Sequence, residues 1–208
     1  MSAWPPISHL KSTGLLGTRS ANLHTVKRPI WLASLLTFGI WPLPCATLQQ
    51  LSLDDMVTQS TAIVRGTVVD SWAAFSGSVV YTHYKVQVSE SFKGVRQSSV
   101  EVVVAGGVVN NLSQSFSGSP TLNKGDQFVF FLWTSRAGLT QIMGLTQGLF
   151  AVAQGGSADP VATRAASREL MLDPKTAQPV KDAVLSMRLS DLRSRIASTL
   201  QSSQGVSQ

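Results

Sequence analysis

The chain has 208 residues, of which 43% are hydrophobic and only 13% are charged, and its formal net charge is +6. Four of the 17 basic residues precede residue 47 and no acid precedes Asp54, so residues 47–208 carry 13 basic and 11 acidic side chains, a net charge of +2. These basic residues are scattered, whereas nucleic-acid binding requires a dense basic patch, so we expect no nucleic-acid partner.

Residues 26–46 carry the order of features that is typical of a secretory signal peptide. They read VKRPIWLASLLTFGIWPLPCA, in which Lys27 and Arg28 precede an apolar core and the last residues lead to the small Ala46. The apolar core is shorter than the roughly 20 residues that span a bilayer. We therefore expect export to the periplasm or the medium, with cleavage near Ala46 and no stable membrane span afterwards. The alternative is an uncleaved N-terminal anchor.

Two features leave the processing of the leader, residues 1–46, open. Residues 1–25 are long for the basic region of a signal peptide, so translation starts either at Met1 or at Val26, from a GTG codon. Cys45 is the only cysteine of the chain, and lipidation of it is an alternative, although the preceding PLP departs from the Leu-small-small pattern of lipoprotein signals. Cleavage after Ala46 would leave no thiol, disulfide or cysteine metal site.

From Thr47 the sequence predicts a β domain over residues 47–154, introduced by one short helix. Ser52 is a typical N-cap, and Asp54 and Asp55 lie in the favourable first turn, so the helix should reach about Ser60. Val-, Ile- and aromatic-rich runs separated by turn residues then predict six strands, at residues 62–72, 80–89, 100–104, 127–134, 139–145 and 148–153. This spacing favours a small antiparallel barrel or sandwich.

The clearest of these strands is the second, in which apolar and polar residues alternate. Val80, Tyr84 and Val86 fall on one face and Lys85 on the other, which predicts a half-buried strand. Gly66 interrupts the first strand, where a glycine is tolerated if it permits a bulge or a bend. The run QFVFFLWT at 127–134 is the most apolar, and we expect it to be central.

The rest of the chain is less regular. Residues 106–122 are rich in Gly, Ser and Asn, which predicts a long exposed loop. After the linker QGGSADP, residues 155–201 form a C-terminal extension. In it Ser190 is a candidate cap for an amphipathic helix with Leu192, Ile196 and Leu200 on one stripe. Residues 202–208 are expected to be a disordered tail.

The series TAIVRGTVVD…YKVQVSESFKG resembles the first strands of netrin-like, OB-type barrels, the fold of tissue inhibitors of metalloproteinases. The span 52–153 also resembles uncharacterised secreted bacterial proteins with a similar Lys-Gly, GG, KGD…FFLW and GLTQGLFAV series. The resemblance covers half of the chain, and its motifs are structural. It implies a mainly β fold, a small antiparallel OB-like barrel of about six strands, and a domain that binds partners without being an enzyme. The short N-terminal helix and the C-terminal amphipathic helix, predicted above from their own residues, complete the expected fold.

The residue types of common catalytic chemistries do not occur together after residue 46. His83 is the only histidine there, and cysteine and a G-x-S-x-G motif are absent from that part of the sequence, so neither a hydrolytic triad nor a zinc site is predicted. Gly106-Gly107 lacks the continuation of a nucleotide-binding loop. We expect no enzyme, cofactor or metal. Solvation explains the acids that lie beside turns, which are Asp70, Glu90, Glu101 and Asp126.

The candidate partner-binding residues are Asn110, Asn111 and Phe116 in the 106–122 loop and Thr47 at the expected N-terminus. Phe116 is an aromatic residue in a polar loop, as in many recognition loops; the alternative is that it closes one mouth of the barrel. Thr47 is included because the metalloproteinase inhibitors approach the protease zinc with their first residue, a cysteine. The leading hypothesis is a secreted binding module for an unknown protein, with an inhibited secreted protease as one partner class. The alternative is a structural or envelope-associated scaffold.

Overall fold

The computed structural model describes residues 47–153 and 158–205, which are mainly β with two helices. The leader, its signal peptide and Cys45 lie outside the described residues, so export and cleavage stay predictions. The helices are α1 (Leu53–Gln59) and α2 (Leu189–Gly205). The strands are β1 (Thr47–Gln49), β2 (Ala62–Ser76), β3 (Val79–Lys93), β4 (Ser99–Ala105), β5 (Gly107–Val109), β6 (Leu112–Gln114), β7 (Gln127–Thr134), β8 (Thr140–Ile142), β9 (Leu149–Val152), β10 (Val161–Arg164), β11 (Leu170–Leu172), β12 (Pro179–Val180) and β13 (Leu185–Arg188).

Five strands form a closed circuit of pairings, called the ring below. β2 pairs with β3, β3 with β4, β4 with β8, β8 with β7, and β7 with β2. Only the β4–β8 pairing, the single bridge Val103↔Gln141, is parallel. Beyond β7 the sheet continues through β9, β10 and β13, which gives it eight strands in all.

The expectation of a barrel of about six strands is therefore corrected, although all six predicted strands exist. The reason lies in β7, whose partner on one side changes along its length. Phe128–Phe130 pair with β9, whereas Leu132–Thr134 pair with β8. Because residues 143–148 turn between β8 and β9, only β8 enters the ring, and β9 starts the extension of the sheet.

Two apolar cores lie on opposite faces of this sheet. The core inside the ring contains Val64, Val86 and Phe130, among others. The second core lies between the sheet and the two helices and contains Phe131 and Ile196. Neighbouring residues of β7 belong to different cores, so this strand is buried on both faces, which explains its nearly continuous apolar sequence.

The predicted alternation of the second strand is confirmed in β3. Val80, Tyr84 and Val86 are buried, whereas Lys85 is exposed. The pairing of β2 with β3 shifts register between Arg65 and Gly66, as expected for a bulge. A Cβ atom on Gly66 would lie 2.5 Å from Val86 Cγ1, so only glycine allows the two strands to approach this closely.

The short N-terminal helix is confirmed. Ser52 caps α1 in a capping box, since its hydroxyl accepts from the Asp55 N–H and its own N–H donates to the Asp55 carboxylate. This reciprocal arrangement satisfies two backbone donors that the helix leaves free.

The C-terminal helix is also present, with Leu192 and Ile196 buried as predicted and Leu200 partly buried. Its start is corrected: α2 begins at Leu189, and Ser190 lies inside the helix, where its N–H and hydroxyl both donate to Asp159. The helix runs to Gly205, so residues 202–205 of the expected tail are helical, and the Ser202 and Ser203 hydroxyls donate to the Ser198 and Leu200 carbonyls of the same helix. Residues 206–208 lie outside the described residues.

Two small sheets complete the fold. β1 pairs in parallel with β11, which pairs with β12. β5 and β6 form a hairpin inside the segment that was expected to be a long loop, residues 106–122. The loop prediction is therefore wrong for residues 107–114, because contacts with β3 order two strands of three residues each, which are too short to show a periodicity of their own.

Candidate functional site

The β2–β3 hairpin projects beyond the ring. β7 pairs with β2 only over Ala62–Thr67, so from Asp70 to Ser76 the only strand paired with β2 among the described residues is β3. No other described strand pairs with the second edge of β2 in this part of the sheet, which is called the open edge of β2 below. An open edge presents backbone N–H and C=O groups to which another strand can add.

The β5–β6 hairpin is fastened to the projecting part of β3 by hydrogen bonds. The Gly106 N–H donates to the Val80 carbonyl over 2.8 Å, and the Thr82 hydroxyl donates to the Gly106 carbonyl over 2.7 Å. Gln114 accepts from the Val80 N–H over 2.7 Å and donates to the Ser78 carbonyl over 3.0 Å. Residues 70–83 and 106–116 thus form one surface, called the hairpin end below.

Three of the four predicted binding residues belong to the hairpin end. Asn110 and Asn111 form the two-residue turn between β5 and β6, are exposed, and have φ values of 50° and 64°. Two successive positive φ values define the type I′ turn that suits a hairpin, and asparagine tolerates this conformation better than most residues. Phe116 follows β6, is 42% exposed, and lines a pocket at the mouth of the ring.

Thr47, the fourth predicted residue, lies in a different sheet. Its pairing partner is Leu170 of β11. The connection to the hairpin end is indirect, because Glu169, the neighbour of Leu170, accepts a long hydrogen bond of 3.4 Å from the Ser117 hydroxyl. The first described residues are thus built into the fold, and Thr47 does not share the surface of Asn110, Asn111 and Phe116.

The hairpin end concentrates exposed apolar surface. Eight large apolar side chains are exposed among the described residues. Five of them belong to the hairpin end: Trp72, Phe75, Val108, Leu112 and Phe116. Soluble proteins seldom expose contiguous apolar patches, and such patches mark interaction sites. Sequence reasoning identified only Phe116. The remaining signal was the run SWAAFS, which carries two aromatic residues and no charge next to a turn.

His83 has structural contacts on both sides. Its Nδ1 lies 2.8 Å from Glu101 Oε1, and its ring stacks on Trp72 with centroids 5.3 Å apart and an interplanar angle of 12°. A catalytic base needs a neighbouring nucleophile that it can activate. The geometry supports a structural role for His83, in which its imidazole orients Trp72 at the base of the hairpin end.

The remaining acidic side chains are used in turns and ion pairs. Glu90 accepts two hydrogen bonds from Arg193, and Asp126 accepts from the Asn123 N–H. Arg164 and Asp182 form a buried pair over 2.6 Å, and Asp182 also accepts from the Ser167 N–H. Within residues 47–153 and 158–205, no three His, Cys, Asp or Glu side chains come together as a metal site would require.

No protein-family model matches this chain, and no curated protein matches it. Neither helix of the described residues combines the length and the apolar character that a membrane span requires. Functional inference therefore depends on the geometry of the hairpin end and of the pocket beside it.

Proposed function

We propose that this chain is an exported, non-catalytic binding module that captures a protein partner with its hairpin end. The observation that carries this proposal is the number of large exposed apolar side chains at the hairpin end, five of the eight among the described residues, beside a stretch of β2 whose only strand partner there is β3. Apolar and aromatic anchors supply most of the affinity of protein interfaces, and an open strand edge adds backbone hydrogen bonds and fixes the orientation of the partner. Export is supported by the signal-like residues 26–46.

We further propose that the ring is an OB-type barrel of the netrin-like kind. The support is the connectivity: β2, β3 and β4 follow one another as a meander, β7 returns to pair with β2, and β8 lies parallel to β4. A five-stranded, partly open barrel with a Greek-key path has this order. A barrel of this kind is a rigid frame on which exposed segments present binding groups.

The partner class that we propose is a secreted protease. It rests on the resemblance to metalloproteinase inhibitors alone, and the mode of binding differs from theirs. Because Thr47 pairs with Leu170 and has no cysteine to hold it, the first residues are poorly suited to enter an active site. The hairpin end, with exposed Asn110 and Asn111 at its turn, is the better candidate for that contact.

The test uses two exposed valines. Val108, at the hairpin end, is 63% exposed, and Val184, away from it, is 62% exposed. The purified chain and its Val108→Asp and Val184→Asp variants are immobilised and exposed to the medium of a culture that produces the protein. Captured protein is identified by mass spectrometry, and the proteolytic activity of the medium is measured with each chain added.

We expect the unmodified chain and Val184→Asp to capture the same protease and to lower its activity, and Val108→Asp to lose both effects. Equal capture by the two variants would place the contact elsewhere. Capture of an envelope component without any effect on proteolysis would favour the alternative, a structural or envelope-associated scaffold.

A further inference from the structure

A pocket of about 260 Å³ opens between the ring and the base of the β5–β6 hairpin. Its walls come from β3 and β4 on one side and from residues 106–107, 114–116 and 119–121 on the other. None of its lining residues is charged. The volume lies just below the roughly 300 Å³ at which pockets for drug-sized ligands begin, so the pocket suits one small ring.

Two hydroxyl groups of residues that line this pocket have no acceptor for their protons among the described residues. Ser119 Oγ is buried and has no partner among the described residues. Tyr84 is only 4% exposed, and its hydroxyl accepts a long hydrogen bond of 3.4 Å from the Leu122 N–H. No described residue accepts the Tyr84 hydroxyl proton. Leaving buried polar groups unpaired costs free energy, so a ligand that offers acceptors here would recover it.

The rest of the lining narrows the chemistry of that ligand. Ser115 and Thr121 add hydroxyl groups, which both donate and accept hydrogen bonds, and the Thr82 hydroxyl, which donates to the Gly106 carbonyl, can still accept one. Phe116 offers an apolar ring face at the entrance. A ligand that fits is therefore uncharged, carries several groups that donate and accept, and has one apolar face. An ionic ligand would be desolvated here without a counter-charge.

We propose that this pocket binds a single neutral sugar ring, with its hydroxyl oxygens accepting from Tyr84 and Ser119 and its apolar face against Phe116. The proposal rests on the pocket and does not require the protein partner proposed above, although the two sites share Phe116. Tyr84 connects the site to the core of the ring, because its own ring packs there. Tyr84 of β3 thus anchors one side of the sugar site, whereas Ser119 and Phe116 belong to the segment that forms the other side.

The test is an NMR titration of the full chain with the methyl glycosides of glucose, galactose and N-acetylglucosamine, and with methyl glucuronide as a charged ring of similar size. A ligand of a dozen heavy atoms with ordinary efficiency has a Kd on the order of 1 mM. We expect at least one neutral glycoside to shift the amide signals of residues 106–107 and 114–121 with such a Kd, and the glucuronide to bind more weakly. An oligosaccharide that ends in the same sugar is titrated as well. If the site takes the end of a glycan, the oligosaccharide binds at least as tightly as the methyl glycoside. If the site takes a free monosaccharide, only the methyl glycoside binds.

Variants with a matched control make the outcome decisive. Tyr84→Phe removes one hydroxyl and should raise the Kd about three- to tenfold, the value of one hydrogen bond. Tyr81→Phe, on the opposite face of β3, should leave it unchanged. Ser119→Ala gives a second reading if Tyr84→Phe fails to fold. The proposal is overturned if no neutral glycoside binds at about ten times the expected Kd, or if both pocket variants bind the glycoside as the unmodified chain does. It is also overturned if a neutral dipeptide amide binds better than every sugar.

Discussion

Gln147 shows how a single side chain fixes the start of the domain. It is only 1% exposed, its Oε1 accepts from the Leu51 N–H over 2.8 Å, and its Nε2 donates to the Gln49 carbonyl over 3.0 Å. Both backbone groups would be unpaired without it, and a buried amide is tolerated only with such partners. Gln147 thereby connects the turn after β8 to the segment that leads from β1 into α1.

We expect Gln147→Leu to lower the free energy of unfolding by about 2 kcal/mol, because it leaves one donor and one acceptor unpaired. The Leu51 amide should exchange its hydrogen much faster than in the unmodified chain. Urea denaturation and hydrogen exchange measure the two effects. Gln201→Leu, at an exposed position of α2, is the control and should change stability by less than about 0.5 kcal/mol. Equal stability of the two variants would contradict the role given to Gln147.

At the scale of the element, the attachment of the β5–β6 hairpin depends on Gly107. Its φ is +143°, and a Cβ atom there would lie 2.7 Å from Thr82 Oγ1 and 3.2 Å from Ala73 Cβ. We expect Gly107→Ala to loosen the hairpin and to weaken partner capture, while the ring stays folded. Gly138→Ala also introduces a Cβ at a positive φ, but no atom lies within 4 Å of it, so it should affect only its own turn. Partner capture and amide hydrogen exchange at residues 107–114 are measured for both variants. Unchanged exchange and capture in Gly107→Ala would contradict the role given to Gly107.

Helix α2 docks on α1 through a charged contact that predicts a pH dependence. Asp54 accepts two hydrogen bonds from Arg195, over 3.0 and 2.9 Å, and one from Thr199 over 2.8 Å. The hydrogen bonds from Arg195 and then Thr199 hold the pKa of Asp54 below its usual value. A carboxyl group whose pKa is lowered in the folded state stabilises the fold above its unfolded pKa of about 3.9, and this stabilisation is lost as the pH falls through the folded pKa.

We therefore expect the unmodified chain to be more stable than Asp54→Asn at pH 7, and the difference to disappear well below pH 4. Urea denaturation of both proteins across this pH range measures it. Because the contact is exposed, the difference at pH 7 should be small and should shrink at high salt. A difference that grows towards acid pH would have the wrong sign for this contact.

The elements that could be predicted from the sequence are those whose own residues carry the signal. β3 alternates because one of its faces is buried, β7 is apolar because both are, and Ser52 with Asp55 indicates the start of α1. The β5–β6 hairpin was missed because its strands have only three residues each and depend on Gln114 and Gly106 for their order. β1, β11 and β12 have two or three residues each, too few for any periodicity.

The candidate site was predictable only in part for the same reason. Asn110, Asn111 and Phe116 stand out in the sequence as turn residues and as an aromatic in a polar segment. Trp72 ends the predicted strand 62–72, and Phe75 lies beyond it. β2 in fact continues to Ser76, and both side chains are exposed because β7 pairs with β2 only as far as Thr67. Exposure of this kind depends on where a distant strand begins, which residues 70–76 do not encode.

At the scale of the whole molecule, the helices and the hairpin end occupy different parts of the fold. The two helices pack on one face of the sheet, where the second core lies. The hairpin end projects from the ring with its apolar side chains exposed and one strand edge open. The central claim is that the partner covers this free end.

Hydrogen–deuterium exchange of the captured complex against the free chain tests this claim most directly. We predict slowed exchange at residues 70–83 and 106–116, with the greatest effect along the open edge of β2, where a partner strand would accept and donate hydrogen bonds. Exchange in β11, β12 and α2 should be unchanged. Protection confined to those C-terminal elements or to β1, with none at the hairpin end, would contradict the account.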